Sequence, residues 1–411
     1  MNKNTKMVVF DDDPTGIQTV HGCLLLTQWD DETLEKAFTD DVPFFYILTN
    51  TRAMTASDAC QRMRDAVESV LRVNARHGYR LICVSRSDSC LRGHFPLETD
   101  IMRHTLESHG VKVWKKTPFA PAFIESGRVT IGGIHYMRDG DRLIPVSETE
   151  FARDNVFGYS TSCLRDYILE KGGNPDDYDI VDADSYTQLD EYRDRLFEAT
   201  ADWDGAVVIR SSSSLPRSIS GIADKPLLSP ADLMIPPGGC GTIIVGSHVR
   251  KTTEQLNHLL DMEGTAGIEL PIDAILDNAE QLRHDVLMKM REMAAEGKTP
   301  VVYTSRKEVR IADAEKRQAL GQKVSAFLVS LVSMMDYRPA YLVAKGGITS
   351  HDILTHGLNV SMARVMGQAI NSVPCIMTEK DGHNLPYIIF PGNVGNASSL
   401  AEIYRKMSRM A

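Results

Sequence analysis

The run MVVFDD (Met7 to Asp12) is apolar until it stops in three consecutive aspartates, Asp11, Asp12 and Asp13. It is short and does not alternate, which is the pattern of a strand covered on both faces. The same form recurs in FFYILTNTR, LICVSRSD, YDIVDAD and GAVVIRSS. Between these runs, Ser57 to His77 carries Ala59, Met63, Val67, Val70 and Leu71 near a 3.6-residue period, and Leu189 to Ala201 reads as a second helix. Strands alternating with helices predict parallel β-α-β units. The alternation breaks at Lys225 to Gly241, a segment with four prolines and three glycines, and we place a domain boundary there. It then restarts with TIIVGS, TPVVYTS, AYLVAKGG and PYIIFPGN, interleaved with helices over Thr252 to Met262, Asn278 to Glu296 and Gly321 to Met335 and closed by a helix from Ser398. The expected fold is α/β in two domains, residues 1–235 and 236–411, each a largely parallel sheet flanked by helices. The active site is expected in the interdomain cleft. A length of 411 residues fits two domains.

Composition narrows the function classes. Lysine plus arginine is 45 against 55 aspartate plus glutamate, a net charge of −10. That balance disfavours nucleic acid and anionic membranes as partners. No stretch of 18 apolar residues is present and the N-terminus shows no signal-peptide pattern, so a cytoplasmic location is expected. Seven cysteines without C-x-x-C spacing fit reduced thiols.

In open parallel sheets, ligands bind beyond the carboxyl ends of the strands. The first such end carries Asp11, Asp12 and Thr15. The second carries Asn50 and Arg52, and the third Arg86, Asp88, Ser89 and Arg92. Arginine forks grip carboxylates, and aspartates accept hydrogen bonds from sugar hydroxyls, so this set suits a polyhydroxylated anion. A single such residue would as readily cap a turn or pair with a neighbour. Three strand ends together favour binding.

The second half ends its strands differently: Ser247 after TIIVGS, then Lys345, Gly346, Gly347 and Thr349, then Gly392, Asn393, Val394 and Gly395. Glycines between strand and helix let backbone N–H groups approach phosphate oxygens. We read a nucleotide-phosphate cradle. Other motifs fail. Glu296 to Thr299 looks like the tail of a P-loop, but Glu292 stands where its first glycine belongs, and Gly297 reads as a helix stop. His351 and His356 are not spaced as zinc ligands on one helical face. Asp11-x-Asp13-x-Thr15 fits the nucleophile loop of a Mg²⁺-dependent phosphatase of the haloacid-dehalogenase type, but no lysine follows in a matching place. That phosphatase, and a non-catalytic sensor of sugar acid and nucleotide, are the alternatives.

The chain resembles the four-carbon acid sugar kinase family over nearly its whole length. The resemblance rests on DDDPTGIQTVHG, TNTR, SRSDSCLRGHFPLE, FIESGRVT, PVSETEFARDNVFGY, VGSHVRKTT, AKGGITSHDI and FPGNVG, in that order. It implies an N-terminal domain for the acid sugar, a C-terminal domain for ATP with Mg²⁺, and phosphorylation of the terminal hydroxyl of a tetronate such as threonate or erythronate. Its substrate motif falls on Asp12, Thr15, Asp88 and Arg92, and its ATP motifs on Ser247, Gly346, Gly347 and Gly392 to Gly395. Cys90 stands where the motif usually has threonine, and IQTVH after Gly16 is an extension. We expect Asp12 as catalytic base with Asp88 second, no identifiable Mg²⁺ ligand, and a homodimer.

Overall fold

The computed structural model describes residues 4–306 and 314–408 and divides into two compact units, Met1–Asp224 and Lys225–Ala411. The reading of the N-terminus falls partly on residues 1–3, outside the described residues.

In the first unit the strands are β1 (Thr5–Asp11), β2 (Leu24–Leu26), β3 (Phe44–Leu48), β4 (Arg80–Arg86), β5 (Thr117–Ala120), β6 (Arg128–Ile131), β7 (Ile134–Asp139), β8 (Arg142–Pro145), β9 (Tyr178–Ile180) and β10 (Val207–Ser211). The helices are α1 (Asp31–Thr39), α2 (Ala56–His77), α3 (Leu97–Ser108), α4 (Leu164–Glu170), α5 (Tyr186–Ala199) and α6 (Ser214–Ser220). Among the described residues the main sheet has the order β2-β3-β1-β4-β10-β5-β9, and each neighbouring pair is parallel. Every residue of β1, β3 and β10 is buried, as strands covered by helices on both faces must be. Helix α2 begins where the Thr55 hydroxyl accepts from the Asp58 amide at 3.2 Å. It stops at Gly78, whose φ of +70° lets its N–H return to the Asn74 carbonyl at 2.8 Å. One face, Ala59, Met63, Val67 and Val70 among it, is buried.

Strands β6, β7 and β8 form a separate antiparallel sheet. Its first hairpin turns on Gly132 and Gly133, both with positive φ, the conformation a two-residue hairpin turn of matching twist requires. The sequence reading did not register this sheet; its strands are short and only partly buried.

In the second unit the strands are β11 (Thr242–Val245), β12 (Thr265–Leu270), β13 (Thr299–Thr304), β14 (Leu342–Lys345), β15 (Met362–Ile370), β16 (Val373–Lys380) and β17 (His383–Phe390). The helices are α7 (Arg250–Leu260), α8 (Ile272–Asp277), α9 (Ala279–Ala295), α10 (Ala314–Ser333), α11 (Gly347–Asp352) and α12 (Ser399–Ser408). The sheet order is β12-β13-β11-β14-β17-β16-β15 among the described residues. It is parallel from β12 through β17 and antiparallel from β17 to β15. Leu228, Leu233 and Ile235 enter this unit's core beside Ile243, Val343 and Ile388. Gly297, with φ +76°, follows the end of α9 as a helix stop.

Candidate active site

Because β3, β1, β4 and β10 are parallel neighbours, their carboxyl ends lie at one edge. Asp11 is level with Leu48 and with Arg86, and Arg86 with Ser211. Backbone bonds bind the loops beyond. Thr49 N–H donates to the Asp11 carbonyl at 2.9 Å, Asp12 N–H to Arg86 O at 3.2 Å, Arg52 N–H to Asp12 O at 3.3 Å, and Ser87 N–H to Ser211 O at 2.9 Å. The three strand ends picked from the sequence therefore lie together at one edge of the sheet.

Its centre is an ion network. Asp12, 1% exposed, accepts from Arg52 at both oxygens, with Nε at 3.1 Å from Oδ2, and from the Ser87 hydroxyl. Asp11 is fully buried and accepts from Arg86 Nη1 at 2.9 Å. Asp13 accepts from the Thr15 amide at 2.8 Å and from its hydroxyl, so Thr15 is engaged within its own turn. Arg52 also reaches Asp13 at 3.4 Å and Asp88 at 3.9 Å. Arg92 forks onto Asp88 through Nε and Nη2, each at 3.0 Å. Its guanidinium lies 4.9 Å over the Phe151 ring and 3.7 Å from Asp154. Asn50 takes a left-handed conformation at φ +53°, and the Ser89 carbonyl accepts from His135 Nε2 at 2.8 Å.

The charges divide the acids. Burial lifts the Asp11 carboxyl to about 7, with Asp12 and Asp13 adding to it, although Arg86 opposes. For Asp88, burial also acts upward, but Arg92 and Arg52 outweigh it and hold the carboxyl well below its ordinary range.

Several residues of this site were not picked out by the sequence reading. Glu98 of α3 accepts from Thr51 at 2.6 Å, Ser85 at 2.9 Å and Arg210 at 2.7 Å, all beneath the loops. Arg210 is the last residue but one of β10 and could have been found by the strand-end rule used for the other three. Glu98 sits inside a helix and gives no such signal. Gly93 is required by space: at φ +130° a Cβ there would stand 2.2 Å from Ser87 Oγ and 3.1 Å from Asp12 Oδ2.

In the second unit β13, β11, β14 and β17 are parallel neighbours and again share an edge. Gly246 and Ser247 N–H groups donate to the Lys345 carbonyl at 3.2 Å, and Gly346 N–H to Phe390 O at 2.9 Å. Gly346, at φ +121°, would place a Cβ 3.3 Å from the Ser247 nitrogen. The Thr349 hydroxyl stands where a Cβ on Gly246 would fall. Ser247 Oγ lies 3.0 Å from Thr252 Oγ1, and Arg306 donates to Ser247 O at 2.8 Å. Ser247, Gly346 and Gly392 are thus brought together. Lys345 does not join them as an exposed cation: it is fully buried and donates to the carbonyls of Pro391 and Gly392. The amides of Gly392, Asn393, Val394 and Gly395 donate no hydrogen bond within the described residues.

Residues 7–216 match the sugar-binding N-terminal domain family, and residues 242–400 the nucleotide-binding C-terminal domain family. Two solved structures are similar in fold. Haemophilus influenzae protein HI1011, of family DUF1537, has a TM-score of 0.62 at 16% identity, covering 97% of this chain and 100% of that one. A Salmonella typhimurium LT2 protein provisionally named a tRNA synthase has a TM-score of 0.64 at 16% identity, covering 97% and 99%. At that identity the likeness concerns the fold alone. Among curated proteins, none matches. With both domain families matched in order across most of its length, the chain belongs to the four-carbon acid sugar kinase family.

Proposed function

We propose that the protein transfers the γ-phosphoryl group of ATP to the terminal hydroxyl of a small, four-carbon sugar acid. One observation carries the reading: each domain has a strand-end site, and the two differ in kind. The sugar-binding domain gathers arginines and aspartates that suit a hydroxylated carboxylate. The nucleotide-binding domain offers a glycine turn with unengaged amides that suits phosphate.

Phosphoryl transfer asks a protein mainly for alignment and charge neutralisation. In this reading Arg92 and Arg52, each partly exposed, take the substrate carboxylate. The acceptor hydroxyl needs a carboxylate within reach. Both acids have their oxygens engaged, Asp12 by Arg52 and Ser87 and Asp88 by Arg92, and exposure, 13% against 1%, favours Asp88 over the Asp12 expected from sequence. Asp88 stays ionised, and because its low proton affinity makes it a weak base, it would take the hydroxyl proton only late, once the new P–O bond has made that proton acidic. Among the described residues no cluster of three or more acidic, cysteine or histidine side chains could hold a metal. Mg²⁺ would arrive bound through the phosphates of the nucleotide, where it would neutralise their charge.

Two other readings are less well supported. Asp11, the nucleophile of a phosphatase, has no exposed surface and is paired with Arg86. The name of the Salmonella neighbour suggests tRNA, and a net charge of −10 opposes a polyanion. The test is ADP release with a panel of tetronates. One or a few should be turned over, and Asp88→Asn should cut that turnover by about 10²–10⁴. Phosphate-ester hydrolysis without sugar-acid turnover would overturn the proposal.

A further inference from the structure

A buried ammonium is costly unless it finds acceptors. Lys345 ends β14 with no exposed surface. Among the described residues no carboxylate lies within ion-pair distance of it. Its Nζ donates to Pro391 O at 2.6 Å and to Gly392 O at 3.1 Å, and lies 3.9 Å over the Phe390 ring. Burial, together with the charge of Lys251, pushes its ammonium down to about 7.

The same turn is held from α7. Lys251 Nζ donates to Asn393 O at 3.1 Å, and Thr252 Oγ1 to Gly392 O at 3.3 Å. Gln255 Nε2 donates to Val394 O at 3.0 Å and to Asn396 O at 2.9 Å. Every carbonyl from Pro391 to Val394 therefore has a side-chain donor, while the amides from Gly392 to Gly395 have no acceptor within the described residues. Carbonyl oxygens repel phosphate and amide N–H groups attract it, so a turn with this division is prepared for an anion.

We propose that Lys345 and Gln255 are positioning residues that engage the carbonyls of the 391–396 turn and leave its N–H groups to a nucleotide phosphate. The proposal rests on the reading of this turn as the phosphate site. Neither side chain touches the phosphate; each acts through the backbone it holds.

The test uses the full chain and compares ADP with adenosine by calorimetry. In Lys345→Met and in Gln255→Leu, ADP affinity should fall about tenfold or more, the scale of losing hydrogen bonds at a charged site. Adenosine affinity should stay within about twofold, because only the phosphates sense the turn. A fall in both ligands together would mark a general structural role and overturn the proposal. So would unchanged ADP binding in both variants. If Lys345→Met does not fold, Gln255→Leu decides by the same split. Gly346→Val separates the two levels: if it loses ADP while both positioning variants keep it, only this proposal fails. If the wild-type chain binds no ADP, the phosphate-site reading fails, and this proposal with it.

Discussion

Asp88 and Arg92 meet through two parallel hydrogen bonds of 3.0 Å, four residues apart in a loop. The fork keeps Asp88 ionised and fixes the plane of the guanidinium, which Phe151 supports from one face.

If this pair handles substrate, its halves should fail differently. Asp88→Asn should lower kcat by about 10²–10⁴ with a small change in KM, because the amide keeps the shape but cannot take a proton. Arg92→Ala should chiefly raise KM for the sugar acid. Steady-state kinetics of both variants checks this. Normal kcat in Asp88→Asn would return the role of base to Asp12.

Gly93→Ala should lose stability and activity together. Its methyl would collide with Ser87 Oγ, which holds Asp12, in a backbone conformation that side chains rarely adopt. A loss of about 1–3 kcal/mol in urea unfolding is expected.

Glu98 and Arg210 form a buried ion pair at 2.7 Å beneath the loops, at 3% and 5% side-chain exposure. Arg210→Met should cost about 3–5 kcal/mol by leaving the carboxylate without its cation. Adding Glu98→Gln should recover part of the loss. A double-mutant cycle in denaturant measures the coupling, and strict additivity would contradict it.

Much of this was legible in the sequence. The parallel core followed from continuous apolar runs, and the adjacency of β3, β1 and β4 put Asp12, Arg52 and Asp88 at one edge. Strand β15 escaped notice because it buries alternate residues and shows no continuous run, and β16 was passed over although Val373 to Ile376 is a buried run. Nor could the sequence reveal which acids are occupied. Asp12 was expected as the base beside two more acids, and only the fold brings Arg52, forty positions away, onto both its oxygens, as it brings Arg92 onto both of Asp88's. Lys345 looked like a phosphate ligand because its place between β14 and a glycine pair says nothing of where its ammonium lands.

The Asp11 carboxyl gives a pH signature of the fold. Its pKa of about 7 lies above the unfolded value near 4, so the folded state holds the proton more tightly. Its contribution to stability is complete below about pH 4 and is lost as pH rises through 7. Melting temperatures from pH 4.5 to 8 should show this fall as the difference between wild type and Asp11→Asn. A difference that stays constant with pH would contradict the assignment.

The central claim is the transfer itself. With ATP radiolabelled in its γ-phosphate, and each tetronate in turn, label should move into a product that carries one phosphoryl group on the terminal hydroxyl, in step with ADP formed. Label found only in inorganic phosphate, whichever sugar acid is supplied, would contradict the account.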